Sequence, residues 1–257
     1  MTNCPTVSDS LYKKKPWYEV MNELEGNLLY VNCPVCKNKG VVYYEKDSYE
    51  YCKECWCMKV RRSYQRINNS GMKDILIKYT FPKYIVDSEW QKNLKAKAES
   101  FVSDPQKCFY LGGQVGIGKT HLCTAIVGQL IKRGNEARYM QWRDDVVKIK
   151  QNANTDEYNK LIEPFKAVKI LYIDDLFKVK RGDQPTAADV NIAFEILNYR
   201  YLNSGLITIV SSEKTGKELV EIDEAVGSRL IEMSGKYFIN IGNDVKKNYR
   251  LRGLYDE

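Results

Sequence analysis

The stretch that decides the fold reads Gly113-Gln114-Val115-Gly116-Ile117-Gly118-Lys119-Thr120. A glycine, four further residues and then Gly-Lys-Thr is the pattern of a phosphate-binding loop. The glycines let backbone N–H groups turn inward around phosphate oxygens without a Cβ in the way. The Lys119 ammonium would reach the β- and γ-phosphates, and the Thr120 hydroxyl would bind Mg²⁺. The octapeptide therefore predicts a site for ATP and Mg²⁺.

The segments on either side of this loop have the character that a phosphate loop needs. Cys108–Leu111 is a short apolar run typical of a buried strand, and apolar residues then recur at helical spacing until Gly134, a helix stop. This setting favours a phosphate site over a chance match in a glycine-containing turn. His121, the only histidine, follows the loop directly. It is interpreted as a residue of the helix start near the phosphates rather than as a base.

A second ATPase motif follows about fifty residues later, where the apolar run Val168–Ile173 ends in two acids. Asp174 is expected to hold Mg²⁺ through water, and Asp175 to polarise the attacking water. A carboxylate pair can also cap a helix, but its distance from the phosphate loop favours catalysis. Another apolar run, Leu206–Val210, precedes Ser212, whose side chain is expected between the two acids and the γ-phosphate.

Six of the eight cysteines lie in the first 57 residues, and their spacing indicates a metal site. Two Cys-x-x-Cys pairs at this separation favour a structural, tetrahedral Zn²⁺ over redox chemistry. Cys33, Cys36 and Cys55 supply three ligands. The fourth is Cys52 or Cys57, and the spacing alone leaves both open.

The overall composition is that of a globular protein of one or two domains, with 257 residues and a net charge of +7. Residues 1–100 hold 17 basic and 12 acidic side chains and therefore carry most of the excess. No apolar run approaches the ~18 residues of a membrane span, and no signal peptide is evident. We therefore expect a cytoplasmic protein without membrane contact.

The sequence divides into two expected parts, a zinc-binding module over residues 1–70 and a nucleotide-binding domain over residues 71–257. The break between them is set at Asn68–Gly71. Val41–Tyr44 is expected to form the first arm of a hairpin that carries the second cysteine pair. A basic cluster, in which Tyr64 is interleaved, is either a solvated helix face or a contact for nucleic acid; it consists of Lys59, Arg61, Arg62 and Arg66.

In order along the chain, these pieces resemble the DnaC/DnaI-type replicative helicase loaders of bacteria and phages, which are AAA+ ATPases related to the initiator DnaA. The resemblance covers nearly the whole chain. Beyond the cysteine-rich front, it rests on Gly-Lys-Thr-His-Leu at 118–122, Ile-Asp-Asp-Leu-Phe-Lys at 173–178, Ile-Asp-Glu-Ala-Val-Gly-Ser-Arg at 222–229 and Asn-Tyr-Arg at 248–250.

The resemblance implies an α/β AAA+ core with a five-stranded parallel sheet and no separate helical lid. It implies that the front module binds a DnaB-type hexameric helicase, and that the ATPase domain binds single-stranded DNA and self-associates. Arg229, which by itself is equally a surface charge, would complete a neighbour's site as an arginine finger, and Arg250 would be a sensor arginine. Phe81 and its neighbours would lie by the adenine. The second ligand pair would be Cys55 and Cys57.

The resemblance also predicts how the protein is used. Many relatives carry Asn where Ser212 stands, and Glu is common where Asp175 stands, so slow ATP hydrolysis stimulated by DNA or assembly is expected. The predicted function is the ATP-dependent delivery of a helicase onto single-stranded DNA at replication initiation. The alternatives are an IstB-type transposition helper ATPase, against which the zinc module argues, and a zinc-dependent DNA-binding adaptor with a nucleotide-binding switch.

Overall fold

The computed structural model describes residues 15–69, 73–180 and 182–254. They form two compact units, the first ending at Arg61 and the second beginning at Arg62. The expected break at residues 68–71 falls partly outside the described residues, which leave out Ser70 and Gly71. Cys4 lies outside them as well. Within the described ranges, no helix is both long and apolar enough to cross a bilayer.

The first unit contains a short helix, a two-stranded hairpin and the start of a longer helix. These elements are α1 (Trp17–Glu23), β1 (Val41–Lys46), β2 (Tyr49–Glu54) and α2 (Cys57–Asn69). β1 and β2 are antiparallel, with Tyr44 opposite Tyr51. Asp47 and Ser48 connect them with positive φ angles of 52° and 64°, the geometry of a tight hairpin turn. The hairpin predicted from Val41 onward is confirmed.

The second unit is a layer of helices around a parallel sheet. Its strands are β3 (Cys108–Gly113), β4 (Ala137–Gln141), β5 (Ile170–Leu176), β6 (Ile207–Ser212) and β7 (Phe238–Ile241). Its helices are α3 (Lys73–Lys78), α4 (Glu89–Ser103), α5 (Lys119–Lys132), α6 (Trp142–Gln151), α7 (Glu157–Ala167), α8 (Ala187–Leu202), α9 (Gly216–Ile222) and α10 (Glu224–Ser234). Short 3₁₀ turns occupy Phe81–Lys83, Gly235–Tyr237, Val245–Lys247 and Tyr249–Leu254.

The sheet confirms the predicted five-stranded parallel core. Its strand order is β4-β5-β6-β3-β7, and each neighbouring pair is parallel. Every residue of β3 is buried, which explains why this strand is an uninterrupted apolar run in the sequence. Ligands of open parallel sheets bind beyond the carboxyl ends of the strands. The phosphate loop follows β3, an interior strand between β6 and β7, and therefore lies beyond the carboxyl ends of the strands.

Local sequence signals set the beginnings of two helices near this edge. Thr186 accepts a hydrogen bond from the backbone of Asp189, whose carboxylate reaches back to Thr186, and this capping box starts α8. Thr215 and Glu218 form the same box at the start of α9.

Cys123, like Cys108, is fully buried. Burial raises the pKa of Cys108 to about 12, so this thiol stays protonated and packs in the core as a small apolar side chain.

Candidate functional site: a nucleotide pocket and a four-cysteine centre

The phosphate loop adopts a conformation that two of its residues can reach only as glycines. Gly116 and Gly118 have φ angles of 84° and 87°, in the region that L side chains rarely adopt. A Cβ at Gly116 would stand 1.9 Å from the Asn248 side-chain oxygen, and one at Gly118 would stand 2.9 Å from the Tyr84 ring. The loop therefore passes close to both neighbours and leaves its other side open to a cavity of about 560 Å³.

Lys119 is the first residue of α5 and lines this cavity. Its side chain is buried, and Nζ donates to the carbonyl oxygens of Gly113 at 2.8 Å and Gln114 at 2.9 Å. Burial lowers the pKa of the ammonium, while the charges of Asp175 and Glu213 act in the opposite direction. The cation is thus held at the loop and next to the start of a helix, where the backbone also favours an anion.

We expect Lys119→Ala to weaken ATP binding by about 30- to 150-fold, because it removes a charge-assisted phosphate contact worth about 2–3 kcal/mol. Titration with a fluorescent ATP analogue measures the affinity. Lys132→Ala, at the exposed far end of the same helix, is the matched control and should bind as the unmodified protein does. Equal affinities for the two variants would contradict the assignment of Lys119 to the phosphates.

Asp174 is the acceptor of four hydroxyl groups from four different elements. Tyr172 donates to Oδ1 at 2.7 Å and Tyr139 to Oδ2 at 2.8 Å, while Thr120 lies 3.3 Å from Oδ1. Ser211 also donates to Oδ1. Burial raises the pKa of both tyrosines, and the carboxylate raises them further, so they stay protonated donors. The Thr120 and Asp174 oxygens are hard ligands side by side, which fits Mg²⁺ bound by the hydroxyl directly and by the carboxylate through water.

We expect Tyr139→Phe to raise the Mg²⁺ concentration needed for half-maximal ATP binding by about two- to tenfold, because Asp174 loses the donor that fixes its Oδ2. Nucleotide titrations at varied Mg²⁺ measure this value. Tyr158→Phe is the matched control. Tyr158 also donates to a carboxylate, that of Glu195 at 2.6 Å, but it does not line the pocket. If both variants show the same Mg²⁺ requirement, Tyr139 does not act through Asp174.

Asp175 faces the pocket because the strand is irregular at this residue. The pairing of β5 with β6 shifts between Ile173 and Leu176, and Asp175 has a φ of 58°. Successive residues of a regular strand point to opposite faces, and a bulge re-aims one of them. Asp175 lines the cavity and lies 3.4 Å from the Lys178 ammonium. Burial, together with the charge of Asp174, raises the pKa of Asp175.

The serine next to the acids is Ser211, and the sequence-based placement of Ser212 is wrong. Ser212 is fully buried, and its hydroxyl donates to the Leu176 carbonyl at 2.7 Å. Ser211 instead donates to Asp174 and accepts from the Asp175 N–H at 3.0 Å. The cause is the alternation of side chains along β6. Ser212 is one position further along the strand than Ser211, so its hydroxyl points to the other face of the sheet.

One wall of the pocket is aromatic. His121 donates a hydrogen bond from Nε2 to the Thr80 carbonyl at 2.9 Å, and its ring lies 4.9 Å from that of Tyr79 and 5.2 Å from that of Tyr84. Burial lowers the pKa of this imidazole. Phe81, expected by the adenine, is buried in the core, and its neighbours Tyr79 and Tyr84 line the cavity. His121 therefore joins this wall to the phosphate-loop helix.

The Asn-Tyr-Arg segment closes the pocket from the C-terminal side. The Tyr249 N–H donates to the Gly116 carbonyl at 3.0 Å, and Asn248 fills the space beside that glycine. The Asn248 side chain also accepts from the Arg250 N–H at 3.0 Å. Arg250 is among the residues that line the cavity. The segment is thus packed directly on the phosphate loop.

Arg229 is positioned on α10 by groups of α8 and its own helix. Its Nε donates to the Asn198 side chain at 3.1 Å, and Nη1 donates to the Ala225 carbonyl at 2.9 Å. The guanidinium lies over the rings of Phe194 at 5.2 Å and Tyr201 at 5.5 Å. It is not among the residues that line the pocket of its own chain. Four contacts hold this cation in one place on the surface of the unit.

The front of the chain brings four cysteines together. The ligand atoms of Cys33, Cys36, Cys55 and Cys57 all lie within 4.8 Å of one another, and all four residues are buried. The Sγ atoms of Cys33 and Cys55 are 3.7 Å apart, and those of Cys36 and Cys57 are 3.5 Å apart. A tetrahedron with Zn–S bonds of about 2.3 Å has edges of about 3.8 Å. Cys52 is exposed on β2, so the open choice of the fourth thiol falls on Cys57.

Arg61, one residue of the basic cluster on α2, is not part of an exposed surface. Arg61 is buried and donates to the Val31 carbonyl at 2.8 Å and to the Asn38 side chain at 2.9 Å. Asn38 in turn accepts from the Cys33 N–H at 2.9 Å. Arg62 lies 3.7 Å from the Glu136 carboxylate. Arg61 therefore holds the segments on both sides of the first cysteine pair, and neither of the two interpretations of the cluster applies to it.

Comparison with known proteins places this site in a family. The sequence model described as the bacterial DnaA ATPase domain matches residues 76–234, more than half of the chain. The chain belongs to the bacterial DnaA ATPase family. The match includes the phosphate loop, the two acids and Arg229, so a nucleotide-binding ATPase domain accounts for the second unit.

Relatives of this DnaA-family chain include two proteins of Bacillus subtilis. The uncharacterised protein YqaM is 35% identical over 214 residues, which are 78% of this chain and 67% of YqaM. The protein XkdC of the phage-like element PBSX is 31% identical over 236 residues, 87% of each chain. The replicative helicase loader DnaC of Escherichia coli is 30% identical over 125 residues, 46% of this chain and 49% of DnaC.

Solved structures confirm the fold of the DnaA-family core. The crystal structure of the DnaC helicase loader has a TM-score of 0.54 at 17% identity, and the match covers 66% of this chain and 98% of that one. The replication initiator DnaA bound to AMPPCP and single-stranded DNA has a TM-score of 0.53 at 22% identity. That match covers 70% of this chain and 56% of the DnaA chain. The predicted resemblance to helicase loaders and to DnaA is thus confirmed.

Proposed function

We propose that this protein is an ATP-dependent loader that delivers a replicative, DnaB-type hexameric helicase onto single-stranded DNA during replication initiation in the cytoplasm. The observation that carries the proposal is a nucleotide site of the DnaA ATPase family in one chain with a compact four-cysteine unit. The sequence likeness to the helicase loader DnaC supports it. In this proposal the zinc-binding module predicted over residues 1–70 binds the helicase, and the ATPase domain predicted over residues 71–257 binds single-stranded DNA and self-associates.

The chemistry of the proposed ATPase follows from the pocket. Mg²⁺ held by Thr120 and Asp174 would neutralise charge on the phosphates, which Lys119 binds from the loop. Asp175, across the cavity, would polarise the water that attacks the γ-phosphate. The Lys178 ammonium forms ion pairs with the carboxylates of both Asp175 and Glu213. These contacts keep the Asp175 side chain in place beside a positive charge. Arg250 would contact the phosphates from the C-terminal segment. We expect slow turnover that DNA or assembly stimulates.

We expect Asp175→Asn to retain ATP binding and to lose hydrolysis, because Thr120 and Asp174 still hold the metal while the base is gone. Phosphate release and nucleotide titration measure the two properties separately. Since burial raises the pKa of Asp175, hydrolysis by the unmodified protein should also decline with falling pH above the ordinary range of a carboxylate. The base is active when deprotonated, and protonation removes it. Unchanged phosphate release by the variant would exclude Asp175 from the reaction.

The loading function is tested with a hexameric helicase and a covalently closed circle of single-stranded DNA. A closed circle can enter a ring only if the ring opens or is built around it, so helicase bound to the circle measures loading. We expect helicase loading to require this protein and ATP. Asp175→Asn, which should bind ATP without releasing phosphate, shows whether loading needs ATP binding alone or also its hydrolysis. Capture of a transposase instead of a helicase would favour the IstB-type alternative. DNA binding without any ATP hydrolysis would favour the adaptor.

A further inference from the structure

The hairpin of the first unit has two chemically different faces. Residues directly opposite in an antiparallel pair point to the same side, and successive residues point to opposite sides. The observed register therefore collects rings and ammonium groups on one side, here called the tyrosine-lysine face; it consists of Tyr44, Lys46, Tyr49, Tyr51 and Lys53. The other side collects the carboxylates of the hairpin, namely Glu45, Glu50 and Glu54.

The side chains of the tyrosine-lysine face are arranged as a platform. The rings of Tyr44 and Tyr51 are stacked, with centroids 5.6 Å apart and planes 22° from parallel. The Lys53 ammonium lies 5.6 Å from the centroid of the Tyr44 ring. Tyr49 is 69% exposed and Tyr51 is 45% exposed. Lys46 stands opposite Tyr49 and is also exposed. Flat apolar surface and positive charge thus alternate along the hairpin.

The hairpin is supported from its other face and from its base, so the platform is held in place. Asn22 of α1 donates to the Tyr43 carbonyl at 2.8 Å and accepts from the Tyr43 N–H at 3.0 Å. The Trp17 ring packs edge-on against Tyr43 at 5.2 Å. Val42 packs against the four cysteines at the base of the hairpin. These contacts leave the outer part of the tyrosine-lysine face as the side that a ligand can reach.

We propose that the tyrosine-lysine face binds single-stranded nucleic acid. Exposed rings offer stacking surfaces that tolerate any base, and interleaved cations follow the phosphates, which is how sequence-independent sites for single strands are built. The charge pattern selects this occupant, because Lys46 and Lys53 attract a polyanion while the three carboxylates of the opposite face repel it. A duplex keeps its bases paired and cannot stack them on these rings. This site goes beyond the proposed function, which assigns single-stranded DNA to the ATPase domain.

The test measures binding of fluorescein-labelled oligonucleotides of about 15 nucleotides, oligo-dT and oligo-U, to the full-length zinc-loaded protein by anisotropy. Tyr51→Ala should weaken binding about five- to hundredfold, because a base loses its stacking partner. Tyr51→Phe keeps the ring and should bind normally. Lys53→Gln should reduce the dependence of log affinity on log salt concentration by about 0.7, the contribution of one phosphate contact. Glu50→Gln, on the opposite face, is the matched control without loss.

Cross-linking locates the site independently of any binding by the ATPase domain. An oligonucleotide that carries 5-iododeoxyuridine is irradiated with the protein, and peptides are identified by mass spectrometry. Adducts at Tyr49 or Tyr51 are expected, and they should persist even if the ATPase domain binds no DNA. Adducts confined to residues 62–257, together with normal affinity of Tyr51→Ala, would overturn the proposal. If Tyr51→Ala lost helicase association but kept normal oligonucleotide binding, that result would also overturn the proposal and make the face a protein interface.

Discussion

Arg229→Ala is expected to lower assembly-dependent ATP hydrolysis by about 10³- to 10⁵-fold, the range known for arginine fingers. The proposed role is to reach the transferring phosphate in a neighbouring subunit. Asn198, Phe194 and Tyr201 hold the guanidinium away from the pocket of its own chain, which suits action in a second subunit. ATP binding by the variant should be normal, since its own phosphate loop is intact. Phosphate release in the presence of DNA or helicase measures the effect.

Mixing two inactive variants gives the sharper form of this experiment. Arg229→Ala has an intact phosphate loop, and Lys119→Ala has an intact finger, so a shared site predicts partial recovery of hydrolysis when both are combined. Arg143→Ala removes an exposed arginine of α6 and serves as the control with normal turnover. If Arg229→Ala hydrolyses ATP normally and no mixture recovers activity, Arg229 is a surface charge.

Cys57→Ser is expected to abolish zinc binding, with loss of structure in the first unit. Small zinc modules owe their folding to the metal, whose apparent binding free energy is about 10–16 kcal/mol. Elemental analysis should find one zinc per chain in the unmodified protein and in Cys52→Ser, but none in Cys57→Ser. Zinc retained by Cys57→Ser and lost by Cys52→Ser would reverse the choice of the fourth ligand, and no zinc in any form would remove the metal site.

The same variant separates the two proposed activities. If the front unit binds the helicase, Cys57→Ser should lose helicase association while the ATPase domain still binds the fluorescent nucleotide. Retained association after complete zinc loss would show that the helicase is bound elsewhere. Circular dichroism and nucleotide titration on the same preparation verify that the ATPase domain stays folded.

The parts of the site that could be predicted are those in which residues close in sequence act together. The phosphate loop is one turn, so its spacing alone defines the backbone around Gly116 and Gly118. The cysteine pairs are also local, although the choice between Cys52 and Cys57 depended on where each thiol points: Cys52 is exposed on β2, and Cys57 is buried at the start of α2. Spacing does not contain that information, and the structure supplies it.

The parts that could not be predicted depend on contacts between distant segments. Tyr139 and Tyr172 lie opposite each other in neighbouring strands, and only the register brings their hydroxyl groups to Asp174. The two tyrosines near the carboxyl ends of their strands were a usable sign of hydrogen-bond donors at this site. The sequence does not show which carboxylate accepts these hydrogen bonds. Ser211 and Ser212 are adjacent in sequence, and adjacent residues of a strand point to opposite faces of the sheet. Arg61 reads as a surface charge until its carbonyl partners are known.

The four hydroxyl donors of Asp174 also bear on the order of events during translation. They are contributed by residues between 120 and 211, and a growing chain leaves the ribosome from its N-terminus. Burying a carboxylate with too few donors is costly, so Asp174, the proposed Mg²⁺ ligand, reaches its final environment only once β6 has been synthesised and paired. Nascent chains that end before β6 should therefore fail to bind ATP. In the finished chain, bound ATP would stabilise the folded domain by mass action, and nucleotide binding by a nascent chain would report that synthesis has passed β6.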